Sequence, residues 1–148
     1  MPLIKSISGI RGTIGNREGE DLTNEDVIIF TISYIKWLKS VNFSSNHSVV
    51  VGRDARTSGP MIESLVIQTL TSMGVNVISL GLSTTPTVEI AVTEENADGG
   101  IIITASHNPK NWNALKLLNH KGEFISQSDG NNILAIAETK PTIEKNIQ

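Results

Sequence analysis

Residues 99–109 read Gly99-Gly100-Ile101-Ile102-Ile103-Thr104-Ala105-Ser106-His107-Asn108-Pro109, and they predict a buried strand that ends at a polar turn. The three consecutive isoleucines are β-branched and give both faces of the strand an apolar side chain, which is typical of a strand covered on both sides. Asn108 precedes a proline and is pushed out of the helical region, so the strand cannot continue directly into a helix. Because open α/β sheets bind ligands at strand ends, we expect Ser106, His107 and Asn108 to lie at a functional site.

The composition indicates one globular domain without thiol chemistry. The chain has 148 residues, of which 39% are hydrophobic and 18% charged, which suits a single core. Its net charge is −3 and it has no cluster of basic residues, so nucleic acid is not an expected partner. The sequence contains no cysteine, which excludes disulfides and thiolate metal sites. No segment approaches the roughly 18 apolar residues of a membrane span and the N-terminal residues lack a signal-peptide core, so we expect a cytoplasmic protein without a membrane partner.

Strand and helix patterns alternate along most of the chain. Thr23 with Asp26 three positions later is typical of a helix cap, and Ser126 with Asp129 repeats the pattern near the end. Helices are predicted at about 23–40, 60–73, 85–95 and 126–138, and strands at 3–8, 48–51, 75–80, 100–104 and 113–119. This alternation predicts the α/β class, as a layered α/β/α domain with a mixed, mostly parallel sheet.

Three polar segments are expected to meet at one edge of this sheet. They are Ser8–Gly12, Gly52–Gly59 and Thr104–Lys116. The glycines on either side of Arg11 predict a loop in which the backbone approaches a neighbour closely. In this arrangement five cations surround Ser106, namely Arg11, Arg53, Arg56, Lys110 and Lys116. Cations concentrated near one hydroxyl, in an acidic chain, indicate a phosphate group rather than a general basic surface.

The residues of the serine turn also have structural interpretations. Ser106 could satisfy only the backbone of a turn, Asn108 could serve the same turn, and His107 could be an exposed turn residue. A serine hydrolase is a weak alternative, because adjacent side chains on an extended segment point apart and Ser106 is next to His107. The chain also lacks a G-x-S-x-G turn.

The charged and aromatic residues nearby have structural interpretations as well. Arg53 and Asp54 could form an ion pair, which we expect to be the role of Asp54. Lys116 could be a solvated strand residue. Trp112 is expected to pack in the core rather than to support a sugar ring.

Three motifs in this sequence resemble those of the α-D-phosphohexomutases, the family of phosphoglucomutase, phosphomannomutase and phosphoglucosamine mutase. Residues 104–109, Thr-Ala-Ser-His-Asn-Pro, with Asn113 and Lys116 downstream, resemble the family's phosphoserine loop. Residues 8–12, Ser-Gly-Ile-Arg-Gly, are similar to its N-terminal arginine loop, and residues 51–54, Val-Gly-Arg-Asp, with Arg56 and Ser58, are similar to its second loop. The motifs occur in the family's order and the resemblance covers nearly the entire chain.

The resemblance implies an isomerase that acts as an intramolecular phosphotransferase. Family members carry a phosphate on the serine that matches Ser106, hand it to a hexose phosphate and form a hexose 1,6-bisphosphate, which also activates the enzyme. It implies Mg²⁺ at the Ser106 phosphate, shared with an Asp-rich loop of a second domain. It further implies that Arg11 binds the phosphoryl group or supports acid–base chemistry, that Asn108 shapes the loop, and that His107 or Lys116 transfers a proton. Which of these two is the base stays open.

The chain departs from the family pattern in two places and in length. Ala114 follows Asn113 where many relatives have glycine, and Ser6-Ile7 replace a frequent Gly-Thr. The family has four domains, and the loops that bind magnesium, select the sugar and clamp the distal phosphate belong to the other three. We therefore expect residues 1–148 to be the first domain alone, excised or truncated and inactive by itself, with the choice among glucose, mannose and glucosamine phosphates unresolved.

Two further expectations follow for such a domain. The alternative to a mutase domain is an isolated phosphosugar-binding module or an inactive fragment. The apolar side of the last helix is expected to be the surface that faces a second domain, and our hypothesis is self-association through it.

Overall fold

A computed structural model describes residues 3–6, 9–42, 46–105 and 108–143, and it places one β-sheet at the centre of the chain. The strands are β1 (Ile4–Ser6), β2 (Gly9–Ile14), β3 (Asp21–Leu22), β4 (His47–Arg53), β5 (Val75–Leu82), β6 (Gly99–Ile103) and β7 (Trp112–Leu118). The helices are α1 (Asn24–Val41), α2 (Gly59–Ser72), α3 (Thr85–Glu94) and α4 (Gln127–Glu138). None of these described helices is both long enough and apolar enough to cross a membrane.

The sheet combines a parallel part with an antiparallel part. Its order is β1-β2-β7-β6-β4-β5, with β3 beside β2. β4 runs parallel to both β5 and β6, and β3 runs parallel to β2. The pairs β1–β2, β2–β7 and β6–β7 are antiparallel. The predicted α/β class with a mixed sheet is therefore confirmed, and β7 pairs with the strand before it as the sequence indicates.

Helices cover both faces of the sheet because side chains alternate along its strands. Val49, Val51, Ile101 and Ile103 face one way, into a core shared with α1, α2 and α4. Val50 and Ile102 face the other way and pack against Val88 and Val92 of α3. This arrangement is the predicted α/β/α layering.

The helix starts follow from local hydrogen bonding. Thr23 Oγ1 accepts from the backbone N–H of Asp26 at 3.1 Å, and the N–H of Thr23 donates to the carboxylate of Asp26 at 3.0 Å. Ser126 Oγ accepts from the N–H of Asp129 at 3.2 Å. Both predicted caps are confirmed, because a cap depends only on residues three apart.

Two expectations about local structure are wrong. The segment around Arg11 is not a loop, since Gly9–Ile14 forms strand β2, while Ser8 lies outside the described residues. Its first glycine nevertheless serves a close approach, because a Cβ at Gly9 would lie 1.9 Å from the carbonyl oxygen of Leu115. The apolar side of α4 is not exposed, because Ile133 and Ala137 are buried in the core. Self-association stays a prediction, but that side of α4 is not available for it.

The start of β6 also depends on a close approach. The hydroxyl of Tyr34 donates to the carbonyl of Leu118 at 2.6 Å, inside the core. A Cβ at Gly99 would lie 1.9 Å from that hydroxyl. The glycine that opens the strand thus leaves room for a buried hydrogen bond between α1 and β7.

Candidate functional site

The residues singled out from the sequence come from four neighbouring strands. Arg11 lies in β2 and Lys116 in β7, while Asp54 directly follows β4 and Thr104 directly follows β6. These strands are adjacent in the order β2-β7-β6-β4. Ser106 and His107 lie outside the described residues. Their neighbours on either side, residues 105 and 108, place the candidate site at the end of β6.

Lys116 and Arg11 share one face of the sheet. In the antiparallel pair β2–β7, Arg11 is opposite Ala114 and Gly9 is opposite Lys116. Residues two apart on a strand face the same way, so Lys116 lies diagonally from Arg11 on this face. Arg11 is exposed and Lys116 is half-buried. Gly9, the β2 residue opposite Lys116, has no side chain. Arg11 therefore supplies the neighbouring β2 side chain on this face.

The surroundings of Lys116 lower its pKa. Burial is the largest effect that lowers the pKa of Lys116, and the positive charge of Arg11 lowers it further. The carboxylate of Asp54 acts in the opposite direction. A lysine with a lowered pKa has a larger fraction of free amine near neutral pH, as a general base requires. The structure thus places the charges of Arg11 and Asp54 close enough to Lys116 to affect its pKa.

Arg56, not Arg53, is the ion-pair partner of Asp54. Its Nε lies 3.3 Å from Oδ2 of Asp54, and its backbone N–H donates to Oδ1 at 3.1 Å. Arg53 instead lies 3.4 Å from Glu63 of α2 and donates to the backbone carbonyl of Asp54 at 3.3 Å. The expected Arg53–Asp54 carboxylate pair is therefore wrong, because Glu63 of α2 is the carboxylate that meets the Arg53 side chain.

The five cations expected around Ser106 differ in their contacts with the described residues, while Ser106 itself lies outside them. Arg53 and Arg56 are both half-buried and held by protein carboxylates and carbonyls, as described above. Lys110 is exposed and lines an open depression of about 400 Å³ together with Asp54 and Arg56. Arg11 makes no ion pair or side-chain hydrogen bond with any described residue. Arg11 and Lys116 are the two of these cations that lie on adjacent strands and on one face of the sheet.

Backbone and amide contacts join the described residues on either side of residues 106 and 107. The N–H of Asn108 donates to the carbonyl of Ala105 at 2.9 Å. Asn113 is fully buried and its side-chain amide donates to Ser58 Oγ at 2.9 Å, which joins β7 to the start of α2. Trp112 is buried beside Ala105, as expected for a packing residue.

Sequence reasoning missed the contacts of Thr104 and Arg56. The hydroxyl of Thr104 donates to Asp54 at 2.7 Å, and Arg56 donates to backbone carbonyls of residues 108–112. Backbone acceptors have no signature in a sequence. The only available signal was the spacing of Asp54 and Arg56, two residues apart in a loop after a strand, where an aspartate commonly accepts from the backbone two residues on.

The described residues do not by themselves form a metal centre. In the ranges 3–6, 9–42, 46–105 and 108–143, no group of three or more histidine, aspartate or glutamate side chains is placed to hold a metal ion. Ser106, the residue expected at the Mg²⁺ site, lies outside these ranges.

Comparisons with known proteins agree on one family. The family described as "Phosphoglucomutase/phosphomannomutase, alpha/beta/alpha domain I" matches residues 3–144. A phosphoglucosamine mutase from a Nitratiruptor species is 41% identical over 103 residues, which are 70% of this chain and 23% of that protein. A phosphoglucomutase/phosphomannomutase from Thermococcus kodakarensis is 41% identical over 113 residues, which are 75% of this chain and 25% of that protein.

A solved structure has the same fold over nearly the whole chain. It is the crystal structure of a candidate phosphomannomutase from Thermus thermophilus, with a TM-score of 0.80 and 28% identity, and the match covers 93% of this chain and 30% of that one. This chain thus spans about a quarter to a third of the length of these relatives. With its fold, its three motifs and a family match over residues 3–144, the chain belongs to the phosphoglucomutase/phosphomannomutase family and corresponds to its domain I.

Proposed function

We propose that this chain is the phosphoserine-carrying domain of a phosphohexomutase, which moves phosphate between O1 and O6 of a hexose phosphate. The observation that carries the proposal is the placement of Arg11 and Lys116 on one sheet face, beside the strand that leads to Ser106. A phosphoserine carries about −1.5 to −2 charges and needs cations nearby. Phosphoryl transfer depends mainly on positioned charge, which this face supplies.

In the proposed reaction, Ser106 carries the phosphate and a hydroxyl of the hexose phosphate attacks its phosphorus. The new bond joins the sugar oxygen to phosphorus, and the bond between Ser106 Oγ and phosphorus breaks. The proton of the sugar hydroxyl goes to Lys116 or His107, and Ser106 Oγ regains a proton from the acid form of that base. The product is a hexose 1,6-bisphosphate, and the reverse transfer of its other phosphate restores the phosphoserine.

The remaining site residues support this transfer. Arg11 binds the phosphoryl group as its charge shifts between the two oxygens, because a guanidinium matches phosphate geometry. Asn108 shapes the loop, and its backbone N–H donates to the carbonyl of Ala105. A bound Mg²⁺ would neutralise phosphate charge, but the described residues fit no such site alone, and no step above depends on it.

We also propose that residues 1–148 form one domain and that mutase turnover needs further domains. The relatives are three to four times longer than the matched segment, as the covered shares of 23% to 30% indicate. The sugar contacts and metal ligands of the proposed enzyme would lie in those parts. The chain by itself is expected to show no appreciable mutase turnover.

A hybrid enzyme tests both proposals. In it, residues 3–144 replace the matching segment of the Thermococcus kodakarensis relative, and conversion of glucose, mannose and glucosamine 1-phosphates is measured with the corresponding bisphosphate present. We expect mutase activity, phosphate on Ser106 by mass spectrometry, and a loss of more than about a hundredfold in Ser106→Ala. Ser128→Ala, at an exposed position of α4, is the matched control.

Two results would contradict these proposals. A fully active Ser106→Ala hybrid would refute the phosphoserine role. Turnover by the 148-residue chain alone, at the level of the hybrid, would refute the need for further domains. Titration of the chain with hexose phosphate and with inorganic phosphate tests the binding-module alternative, which predicts saturable sugar-phosphate binding that Arg11→Ala abolishes.

A further inference from the structure

One acidic residue after β4 holds the chain just before residues 106 and 107. Oδ2 of Asp54 accepts a hydrogen bond from Thr104 Oγ1 at 2.7 Å, and the backbone N–H of Asp54 donates to the carbonyl of Ile103 at 3.1 Å. Thr104 lies two positions before Ser106. Thr104 is therefore tied to the loop after β4 by a charged hydrogen bond, which is stronger than a neutral one.

A basic residue of the same loop holds the chain just after residues 106 and 107. Arg56 donates through Nη2 to the carbonyl of Asn108 at 2.8 Å. Through Nη1 it donates to the carbonyls of Pro109 at 2.5 Å and Trp112 at 3.2 Å. One guanidinium thus contacts three backbone carbonyls within residues 108–112.

The two residues also hold each other. The carboxylate of Asp54 accepts from both the backbone N–H and the Nε of Arg56, at 3.1 and 3.3 Å. The Arg56 side chain is only 12% exposed. A guanidinium has five N–H donors, and these contacts occupy most of them. Little donor capacity is left for binding a phosphate group.

We propose that Asp54 and Arg56 form a bracket that positions Thr104 and residues 108–112, the described residues on either side of Ser106, for phosphoryl transfer. Both are positioning residues, since they act through the backbone of this loop. The inference rests on the proposed function, because it assigns a purpose to the fixed loop. Transfer between two oxygens is sensitive to displacements of about 1 Å, so a fixed serine is a requirement of the reaction.

The competing role for Arg56 is the one that its charge suggests from sequence, namely direct attraction of phosphate. The substitution Arg56→Lys separates the two roles, because it keeps the positive charge but cannot span three carbonyls with one ammonium group. Arg17→Lys is the matched control. Arg17 also pairs with a nearby aspartate, Asp21, but it lies on a different loop.

Amide hydrogen exchange of the 148-residue chain tests the bracket without any activity. In Arg56→Lys we expect the amides of Thr104, Asn108 and Trp112 to exchange more than about tenfold faster, because all three donate to backbone carbonyls in or beside this loop. Amides of β4 and α1 are expected to keep their rates, which shows that the fold is intact. Exchange in the loop within twofold of the unmodified chain would overturn the proposal.

A second pair of variants tests the other arm of the bracket in case Arg56→Lys does not fold. Thr104→Val removes the hydroxyl that donates to Asp54 but keeps the shape of the side chain, and Thr104→Ser restores the hydroxyl. We expect faster loop exchange in Thr104→Val and near-normal exchange in Thr104→Ser. Equal exchange in the two variants would refute the role of the Thr104–Asp54 hydrogen bond in holding the loop.

The hybrid enzyme then relates the bracket to catalysis. For Arg56→Lys we expect kcat to fall at least about tenfold with KM within about twofold, because sugar binding does not use the bracket. A raised KM with unchanged kcat would assign Arg56 to direct phosphate binding and overturn the proposal. An inactive unmodified hybrid would instead refute the proposed function. The exchange measurements would still show whether Asp54 and Arg56 hold the loop.

Discussion

Gly9 of β2 lies directly opposite Lys116 of β7, so the lysine on this sheet face has no side chain beside it at its nearest cross-strand position. The next residue on the same face of β2 is Arg11, which lies diagonally from the lysine. On its other side, Lys116 is opposite Ile102 of β6. A glycine, an arginine and an isoleucine are thus the cross-strand neighbours of the proposed proton-transfer group.

Gly9→Ala is expected to destabilise the fold strongly. A Cβ at Gly9 would lie 1.9 Å from the carbonyl oxygen of Leu115. The φ of this residue is +156°, a value that residues other than glycine rarely adopt. The two strands must therefore move apart. We expect the free energy of unfolding to fall by about 2 kcal/mol or more in urea denaturation.

Gly19→Ala is the matched control for this substitution. Gly19 also has a positive φ, +78°, but a Cβ there would have no atom within 4 Å. Gly19→Ala therefore measures the cost of a side chain at a positive φ, about 1 kcal/mol, without a steric clash. Equal losses of stability in the two variants would contradict the close approach between β2 and β7.

Arg11→Met is expected to raise the pKa of Lys116. The positive charge of Arg11 disfavours the charged amine, so its removal leaves burial as the remaining effect that lowers this pKa. The amine is then neutral over a narrower range of alkaline pH. Titration of the Lys116 side chain by NMR in the 148-residue chain measures the change.

Arg17→Met is the matched control for this titration, because Arg17 is not among the groups that act on Lys116. Asp54→Asn is expected to shift the pKa of Lys116 in the opposite direction, since the carboxylate of Asp54 favours the charged amine. An unchanged Lys116 titration in Arg11→Met would show that the two cations are not coupled.

Asp21 is expected to make stability depend on pH in the acid range. Hydrogen bonds from Arg17 and then from Thr13 hold the pKa of this carboxyl well below its usual range. A lowered folded-state pKa contributes stability that is present above the unfolded value, about 3.9, and lost as pH falls from there toward the folded value. Unfolding free energies between about pH 5 and pH 2 should therefore decline more steeply for the unmodified chain than for Asp21→Asn.

Arg17→Met provides an independent check, because it removes the largest cause of the Asp21 shift while it keeps the carboxyl. We expect it to flatten the same part of the pH profile. Profiles of unchanged slope in both variants would rule out the Arg17–Asp21 contact as a source of acid sensitivity.

Local patterns in the sequence were sufficient for the helix ends and for one strand pairing. The caps at Thr23 and Ser126 are confirmed because each involves residues only three apart. The pairing of β6 with β7 is confirmed because the segment between them is short. Trp112 is buried as expected, since a large aromatic residue gains most from packing.

Contacts between distant segments could not be predicted in the same way. Whether Arg53 or Arg56 pairs with Asp54 depends on the position of Glu63 in α2, because Glu63 pairs with Arg53 while Arg56 pairs with Asp54. The acceptors of Arg56 are backbone carbonyls, which any residue carries. The motif around Arg11 was expected to be a loop because its glycines are equally compatible with a turn and with a close strand contact.

The Tyr34 hydroxyl occupies the space beside Gly99, at the start of β6, that a Cβ at this position would need. Tyr34→Phe removes a buried hydrogen bond to the carbonyl of Leu118 and is expected to cost about 1–2 kcal/mol. Gly99→Ala places a Cβ 1.9 Å from the Tyr34 hydroxyl and is expected to cost about 3 kcal/mol. In the double variant the hydroxyl is gone, so part of the clash is relieved.

The combined cost of the double variant in urea denaturation is therefore expected to be smaller than the sum of the single costs by about 1 kcal/mol or more. Gly19→Ala combined with Tyr34→Phe is the control cycle, because Gly19 has no neighbour near a Cβ and its cost should add to that of Tyr34→Phe. Additive costs in both cycles would show that Gly99 is not required by the tyrosine hydroxyl. A coupling confined to Gly99 and Tyr34 would instead explain why the strand that leads to Ser106 begins with a glycine.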